Sequence, residues 1–241
     1  MKRQLSILLL VTILGLLPSC HKESSNALPP APQDTVYNND PYDVDGHGIP
    51  KFVGIDYIEL SQIYRISKFR SSEGHNYSDE FESCRSMKHY FNPKGGVDWG
   101  SIKVFAPVSG TVSRMFVEWA GTQVQIRSSK YPAFFFIIFH INLANPLTVG
   151  DTVRAGQQLG THIGSQTMSD IAVGVNTPGG WKLVSYFDTM TDSLFQSYKA
   201  RGVSARSDLI ISKAARDADS LSCNGETFTT SGTIGNWVNL N

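Results

Sequence analysis

Five short apolar segments, each bounded by Gly, Pro or polar residues, constrain the fold of this chain more than any other feature. They are rich in Val, Ile and Phe, a composition that predicts β-strands, and they lie at 102–107, 110–117, 122–127, 133–140 and 170–175. The segment 133–139 is apolar at every position. Because successive strand residues point to opposite faces, both faces of this strand should be covered, which predicts a central place among the strands.

Helical signals appear only towards the C-terminus. Thr189 or Thr191 could cap a helix that ends at Gly202, and a second helix should begin near Ser212 and run through Arg216. We find no internal repeat of fixed period. The predicted fold class is therefore mainly β, an antiparallel β-sheet or β-sandwich with a short helical C-terminal appendix.

The first twenty residues predict a leader. Lys2 and Arg3 precede an apolar run at 5–17, which is shorter than the roughly 20 residues needed to span a bilayer. A basic start followed by such a run predicts a secretory signal peptide. The ending Leu17-Pro18-Ser19-Cys20 resembles the lipobox of bacterial lipoproteins. It predicts removal of residues 1–19 and acylation of Cys20, as with palmitate, whereas the alternative is an ordinary signal peptide and a chance cysteine.

Residues 20–45 are rich in Ser, Asn, Pro and Asp and contain few apolar side chains. This composition predicts a semi-extended tether. Asp43-Val44-Asp45-Gly46 resembles the start of a calcium loop but lacks its later acidic ligands, which favours a solvated turn. Residues 46–241 are then expected to form a single domain. The formal net charge is zero and no basic stripe is present, so the sequence gives no indication of nucleic-acid binding.

The cysteines fit an extracytoplasmic location. With Cys20 assigned to the anchor, Cys84 and Cys223 remain. In an oxidising compartment an even pair predicts a disulfide bond. Two separate buried thiols are the alternative.

Two glycine-rich motifs carry a family resemblance. Gly96-Val97-Asp98-Trp99 precedes Ala106-Pro107-Val108-Ser109-Gly110-Thr111-Val112, and Val149-Gly150-Asp151-Thr152-Val153 precedes Gly156-Gln157-Gln158-Leu159-Gly160. Over residues 85–176 the chain resembles the lysostaphin- and LytM-type zinc endopeptidases that cut peptidoglycan. Biotinyl and lipoyl carrier domains share similar glycine turns, but their modifiable Met-Lys-Met or Asp-Lys-Ala motif is absent.

The resemblance implies a metal site whose ligands are only partly present. The family's zinc is held by a His, an Asp four residues later and the second His of a His-x-His strand, which leaves one position open for water. Asp98 matches the Asp ligand, but Lys94 stands four residues earlier. His89 could supply the missing ligand if the loop containing Asn92 and Pro93 folded back.

The catalytic positions are also altered. His140 matches the family's assisting histidine at the end of the apolar strand, and Asp170 and Ala172 stand where the His-x-His pair is expected. Alternation places Asp170 and Ala172 on one sheet face. His162 could reach the same site, giving a rearranged set of His89, Asp98, His140, His162 and Asp170. Secondary candidates are His75 and Asp79, which have the His-to-Asp spacing without the flanking motif.

Three hypotheses follow. The first is a membrane-tethered, endopeptidase-like domain with a degenerate metal site that binds peptidoglycan or an envelope protein without cleaving it by the family mechanism. The second is an active metallo-hydrolase with a rearranged zinc site. The third is a structural envelope lipoprotein in which those polar residues have no functional role.

Overall fold

Strand β6 (Phe134–Leu143) lies in the middle of a large antiparallel sheet in the computed structural model, which describes residues 41–241. It pairs with β5 (Gly121–Ser128) on one side and with β9 (Ser169–Thr177) on the other. The end of β6 also pairs with β8 (Gln158–His162). The predicted central position of this strand and the mainly antiparallel β fold are both confirmed.

The two faces of β6 contribute to two separate hydrophobic clusters. Phe136 and Ile138 belong to the large core, whereas Ile137 and Phe139 belong to a smaller cluster on the other face. All four are buried. The candidate site lies beside the smaller cluster, which includes Ala172 of β9.

The sheet extends outward from this centre through antiparallel pairs. Its other strands are β1 (Ile63–Ser67), β2 (His89–Pro93), β3 (Lys103–Phe105), β4 (Gly110–Glu118), β7 (Thr152–Val153), β10 (Gly180–Val184) and β13 (Trp237–Asn239). The main strand order is β13-β1-β2-β9-β6-β5-β4-β7, with β10 also paired to β9 and β3 to β8. Strands β11 (Cys223–Asn224) and β12 (Thr227–Phe228) form a separate two-stranded sheet.

The helices are short. They are α1 (Val44–His47), α2 (Tyr186–Thr189), α3 (Asp192–Lys199) and α4 (Lys213–Ala218), with 3-10 turns at Leu60–Gln62, Trp99–Ser101 and Arg206–Leu209. Of the two predicted caps for α3, Thr191 is the residue that accepts a hydrogen bond from Leu194 N–H. Ser212 caps α4. None of the helices within residues 41–241 is long and apolar enough to cross a membrane.

The predicted tether extends too far into the domain. Tyr42 donates a backbone hydrogen bond to Asn176, and its ring packs on Phe134 with centroids 5.3 Å apart. Asp43 caps α1, where the sequence predicted a turn, and Val44 is buried. The signal peptide, Cys20 and the tether up to residue 40 lie outside the described residues.

A disulfide bond joins Cys84 to Cys223, 139 residues apart in the chain. Cys223 begins the small β11–β12 hairpin, and Glu226 at the turn of this hairpin accepts a backbone hydrogen bond from Asn76. The disulfide therefore holds a C-terminal hairpin against the segment that precedes β2.

Gly110 of the motif Ala-Pro-x-x-Gly marks a position where two backbones approach closely. A β-carbon at Gly110 would lie 2.0 Å from the carbonyl oxygen of Arg127 on β5. Because backbone atoms of paired strands cannot move aside, we expect Gly110→Ala to lower the free energy of unfolding by about 1–3 kcal/mol. Urea denaturation monitored by tryptophan fluorescence would measure the change.

Gly95→Ala is the matched control. A β-carbon at Gly95 would meet no atom within 4 Å, and its backbone is not in the left-handed region. We expect this variant to unfold at the wild-type urea midpoint. Equal losses of stability in the two variants would contradict the proposed close approach at Gly110.

Candidate functional site

The candidate site forms where β2 pairs with β9. Tyr90 lies directly opposite Asp170 in this antiparallel pair, so both side chains point to the same face. Lys88 lies two residues before Tyr90 and reaches the same face. The alternation therefore brings a lysine, a tyrosine and an aspartate together beneath the end of β6.

Lys88 and Asp170 form a buried ion pair. The Lys88 ammonium lies 2.5 Å from Oδ2 of Asp170, and the two side chains are 1% and 0% exposed. A contact of this length between an ammonium and a carboxylate is a charge-assisted hydrogen bond. The ammonium also donates to Nε2 of His75 at 3.1 Å. A buried lysine is stable in this setting because opposite charge and a lone pair surround it.

His140 is held on the other side of the same carboxylate. Its Nε2 lies 3.2 Å from Oδ1 of Asp170, and its Nδ1 donates to the carbonyl of Ala120 at 3.0 Å. His140 also has a φ of 62°, a strained conformation for a residue with a side chain. With both ring nitrogens facing oxygen acceptors, the doubly protonated imidazolium is the favoured form.

Burial and the neighbouring charges shift the pKa values of His140, Asp170 and His75. Burial would lower the pKa of His140, but the Asp170 carboxylate outweighs burial and raises it. Burial would raise the pKa of Asp170, but the Lys88 ammonium and His140 hold it below its ordinary value. Burial and the Lys88 charge lower the pKa of His75. Lys88 and His140 thus share one buried carboxylate.

An open cleft of about 820 Å³ lies above this ion pair. Lys88 and His140 line it, with Trp99 and Trp119 among the aromatic residues of its wall. Trp119, at the tip of the β4–β5 hairpin, is 83% exposed. The remaining lining residues are Gly74, His75, Tyr77, Tyr90, Asn92, Glu118, Gln123, Phe139, Ser165, Thr167, Met168, Glu226 and Thr227.

His89 does not reach this cleft, and its prediction as a metal ligand is wrong. The segment 89–93 is strand β2, not a loop that folds back, and alternation sends His89 to the face opposite Lys88. Its Nδ1 donates to the Ser67 carbonyl at 2.8 Å, and its Nε2 accepts from the Ser185 hydroxyl at 2.9 Å. With both nitrogens engaged in the core, His89 has no lone pair for a metal.

Burial lowers the pKa of His89 to about 4. Since the unfolded pKa is about 6.5, its contribution to stability is present above that pH and is lost as the pH falls towards 4. We expect this loss to be on the order of 3 kcal/mol. His89→Gln keeps a hydrogen-bonding side chain but cannot titrate, so its urea stability should fall less between pH 7 and pH 4 than that of the wild type.

Comparison of the two pH profiles separates the effect of His89 from that of other groups. One of these is Asp56, because burial raises its pKa to about 7. Asp56 acts in the opposite direction, because its contribution is present below pH 3.8 and is lost as the pH rises through 7. Parallel profiles for the wild type and His89→Gln would contradict a buried neutral His89.

Asp98 does not join the other predicted ligands. It is exposed, and its Oδ1 caps the 3-10 turn by accepting from Gly100 N–H. His162 is buried near the site, with its ring 6.1 Å from that of Trp99, and its Nδ1 accepts from Gly164 N–H. Burial and the charge of His140 lower the pKa of His162 to about 4.

The two secondary candidates, His75 and Asp79, do not form a common site. Asp79 accepts backbone hydrogen bonds from Phe81, Glu82 and Leu183, so it anchors a turn to β10. His75 turns instead towards Lys88. Of the residues predicted for the site, the structure therefore brings together His75, His140, His162 and Asp170.

The side chains at this position do not fit the zinc that the family resemblance implies. No group of three or more His, Cys, Asp or Glu in residues 41–241 is arranged to hold a metal ion. Ala172 has no donor atom and is buried among apolar residues of the smaller cluster. The one central carboxylate, Asp170, already contacts an ammonium, and a divalent cation beside that ammonium would be repelled.

Sequence reasoning missed Lys88. The signal was present, since Met87-Lys88-His89-Tyr90-Phe91 places a lysine within a largely apolar run. Lysine is almost never fully buried without a partner, so such a position indicates a buried counterion. The identity of that counterion depended on the pairing of β2 with β9.

Comparisons with known proteins show that part of this chain is similar to solved structures. No family model and no curated protein sequence matches the chain. LytM of Ruminococcus gnavus is 15% identical with a TM-score of 0.34, covering 42% of this chain and 43% of that one. Csd3 of Helicobacter pylori is 17% identical with a TM-score of 0.41, covering 58% of this chain and 35% of that one.

The catalytic domain of the antimicrobial peptidase lysostaphin from Staphylococcus simulans is 19% identical. Its TM-score is 0.34, and the match covers 47% of this chain and 82% of that domain. The chain spans less than half the length of the LytM and Csd3 structures.

Proposed function

We propose that this chain is an envelope lipoprotein whose lysostaphin-like domain binds peptidoglycan or an envelope protein and does not hydrolyse peptides by the zinc mechanism. The proposal rests on one observation: where the resemblance requires a metal, a lysine ammonium contacts the central carboxylate. Ala172, at a predicted ligand position, cannot contribute a donor.

The cleft supports a binding role. It is open, and its wall combines aromatic rings with the amide side chains of Asn92 and Gln123. Exposed aromatic rings next to polar groups suit both a sugar ring and a peptide. Trp119 is the most exposed aromatic of this wall, so it is the first residue to test.

Sedimentation with insoluble peptidoglycan is the direct test, using the full chain in a mild detergent. We expect the wild type to sediment with the polymer and to release no soluble fragments from it, with or without added zinc. Trp119→Ala should weaken binding about tenfold, within the range of a well-placed aromatic contact. Free protein in the supernatant and soluble amino groups from the polymer are the two quantities measured.

Tyr64→Ala is the matched control, since Tyr64 is 44% exposed and does not line the cleft. It should bind as the wild type does. A chain that stays wholly in the supernatant would rule out the polymer and leave an envelope protein as the ligand. Zinc-dependent release of fragments would support the active hydrolase instead.

The anchor is a separate part of the proposal. Acyl chains on Cys20 would hold the domain at a membrane, each buried methylene contributing roughly 0.8 kcal/mol. Labelled palmitate should be incorporated into the wild type and not into Cys20→Ser. Incorporation into both proteins would contradict Cys20 as the lipidated residue.

A further inference from the structure

The hydrogen bonds of His75 present an acceptor nitrogen to Lys88. Nδ1 of His75 lies 3.1 Å from the carbonyl of Asn76, which can only accept, so Nδ1 carries the proton. Nε2 then offers a lone pair to Lys88, 3.1 Å away. A neutral acceptor on one side and the Asp170 carboxylate on the other suit an ammonium, which has only donors.

Three aromatic rings complete the enclosure. The Lys88 nitrogen lies 5.0 Å from the ring centre of Tyr77, 4.9 Å from that of Tyr90 and 4.2 Å from that of Phe139. These separations are within the 6 Å range of cation–π attraction. Ring faces attract an ammonium but give no lone pair to zinc, which needs donors at about 2.0–2.2 Å. The surroundings are therefore shaped for an ammonium.

The position of Lys88 explains how the floor of the cleft is fixed. Asp170 has one oxygen on Lys88 and the other on His140. The ammonium neutralises the buried carboxylate and sets its orientation, and the second oxygen then sets the position of the His140 ring. The backbone of His140 is strained, so this ring needs such support.

We propose that Lys88 is the resident cation of this cleft. It fixes the position of Asp170 and, through Asp170, that of His140, as a bound metal ion would. Lys88 is a positioning residue in this account. The inference does not depend on what the cleft binds, so a negative peptidoglycan assay leaves it intact.

The first test is a histidine titration by NMR on the full chain in detergent. Lys88→Met keeps an unbranched apolar chain among the rings but removes the charge that holds Asp170 and lowers the pKa of His140. We expect the titration midpoint of His140 to move to higher pH than in the wild type. A lysine that only fills space would leave the midpoint unchanged, and that result would overturn the proposal.

The second test is chemical rescue. Lys88→Ala removes the equivalent of a propylammonium group, so n-propylammonium should raise its melting temperature saturably and restore the wild-type His140 midpoint. 1-Propanol has a similar shape without the charge and should do neither. Equal rescue by both compounds would show a space-filling role. Stabilisation by zinc in place of propylammonium would show a metal site.

The wild type supplies a third test, which holds even if Lys88→Ala fails to fold. Because the resident cation is part of the chain, treatment with EDTA should change neither the melting temperature nor the His140 midpoint. A loss of stability on chelation, reversed by zinc, would overturn the proposal.

Discussion

Asp170→Asn is expected to lower the free energy of unfolding by about 3–5 kcal/mol, the range found when one partner of a buried ion pair is removed. The substitution keeps the size of the side chain but leaves the Lys88 ammonium, 1% exposed, without its counterion. His140 loses its carboxylate partner as well. Urea denaturation of the full chain at neutral pH would measure the effect.

Two variants test this explanation. In Lys88→Met the buried Asp170 carboxyl can take up a proton or pair with His140, so the loss should be smaller than in Asp170→Asn. The double variant Lys88→Met/Asp170→Asn removes both charges of the buried ion pair, and His140 can lose its proton, so much of the lost stability should return. Additive losses in the double variant would contradict a coupled ion pair.

Replacing both cysteines, as Cys84→Ser/Cys223→Ser, is expected to lower the free energy of unfolding by about 2–5 kcal/mol. The cross-link closes a long loop of 139 residues, so it removes much conformational freedom from the unfolded chain. The measurement is urea denaturation of the oxidised wild type, the dithiothreitol-reduced wild type and the variant.

The reduced wild type should match the double variant in stability. Hydrogen exchange should also locate the change, because the β11–β12 hairpin is held by the disulfide and by the Asn76 contact. Amides at 223–228 should exchange faster in the variant, whereas those of β6 should change only through the global loss of stability. Unaltered exchange at 223–228 would show that other contacts hold this wall of the cleft.

These results matter for function because Glu226 and Thr227 of that hairpin line the cleft. The sequence motifs cover only residues 85–176, and the segments on either side matched no known pattern. The structure places parts of both segments around the cleft, with His75 and Tyr77 from one and the hairpin from the other. The flanking segments therefore belong to the candidate site.

The sequence by itself determined the five strands β3 to β6 and β9, but not the others, including β2, whose segment was expected to be a loop. Val-, Ile- and Phe-rich segments between glycines predicted β3 to β6 and β9, because strand preference and alternating burial are local properties. Thr191 and Ser212 were readable as helix caps for the same reason, since a cap depends on the next three residues. The glycine of the Ala-Pro-x-x-Gly motif also marks the position, Gly110, where the backbones of two strands approach closely.

Only the tertiary structure decided which polar residues meet. Whether His89 or Lys88 faces Asp170 depends on the register of β2 against β9, and a shift by one residue would exchange them. No local pattern records that register across some 80 residues of chain. The sequence predicted a degenerate metal site from Lys94 and Ala172, and the fold placed a lysine ammonium on the remaining carboxylate, because strand pairing sets which side chains share a face.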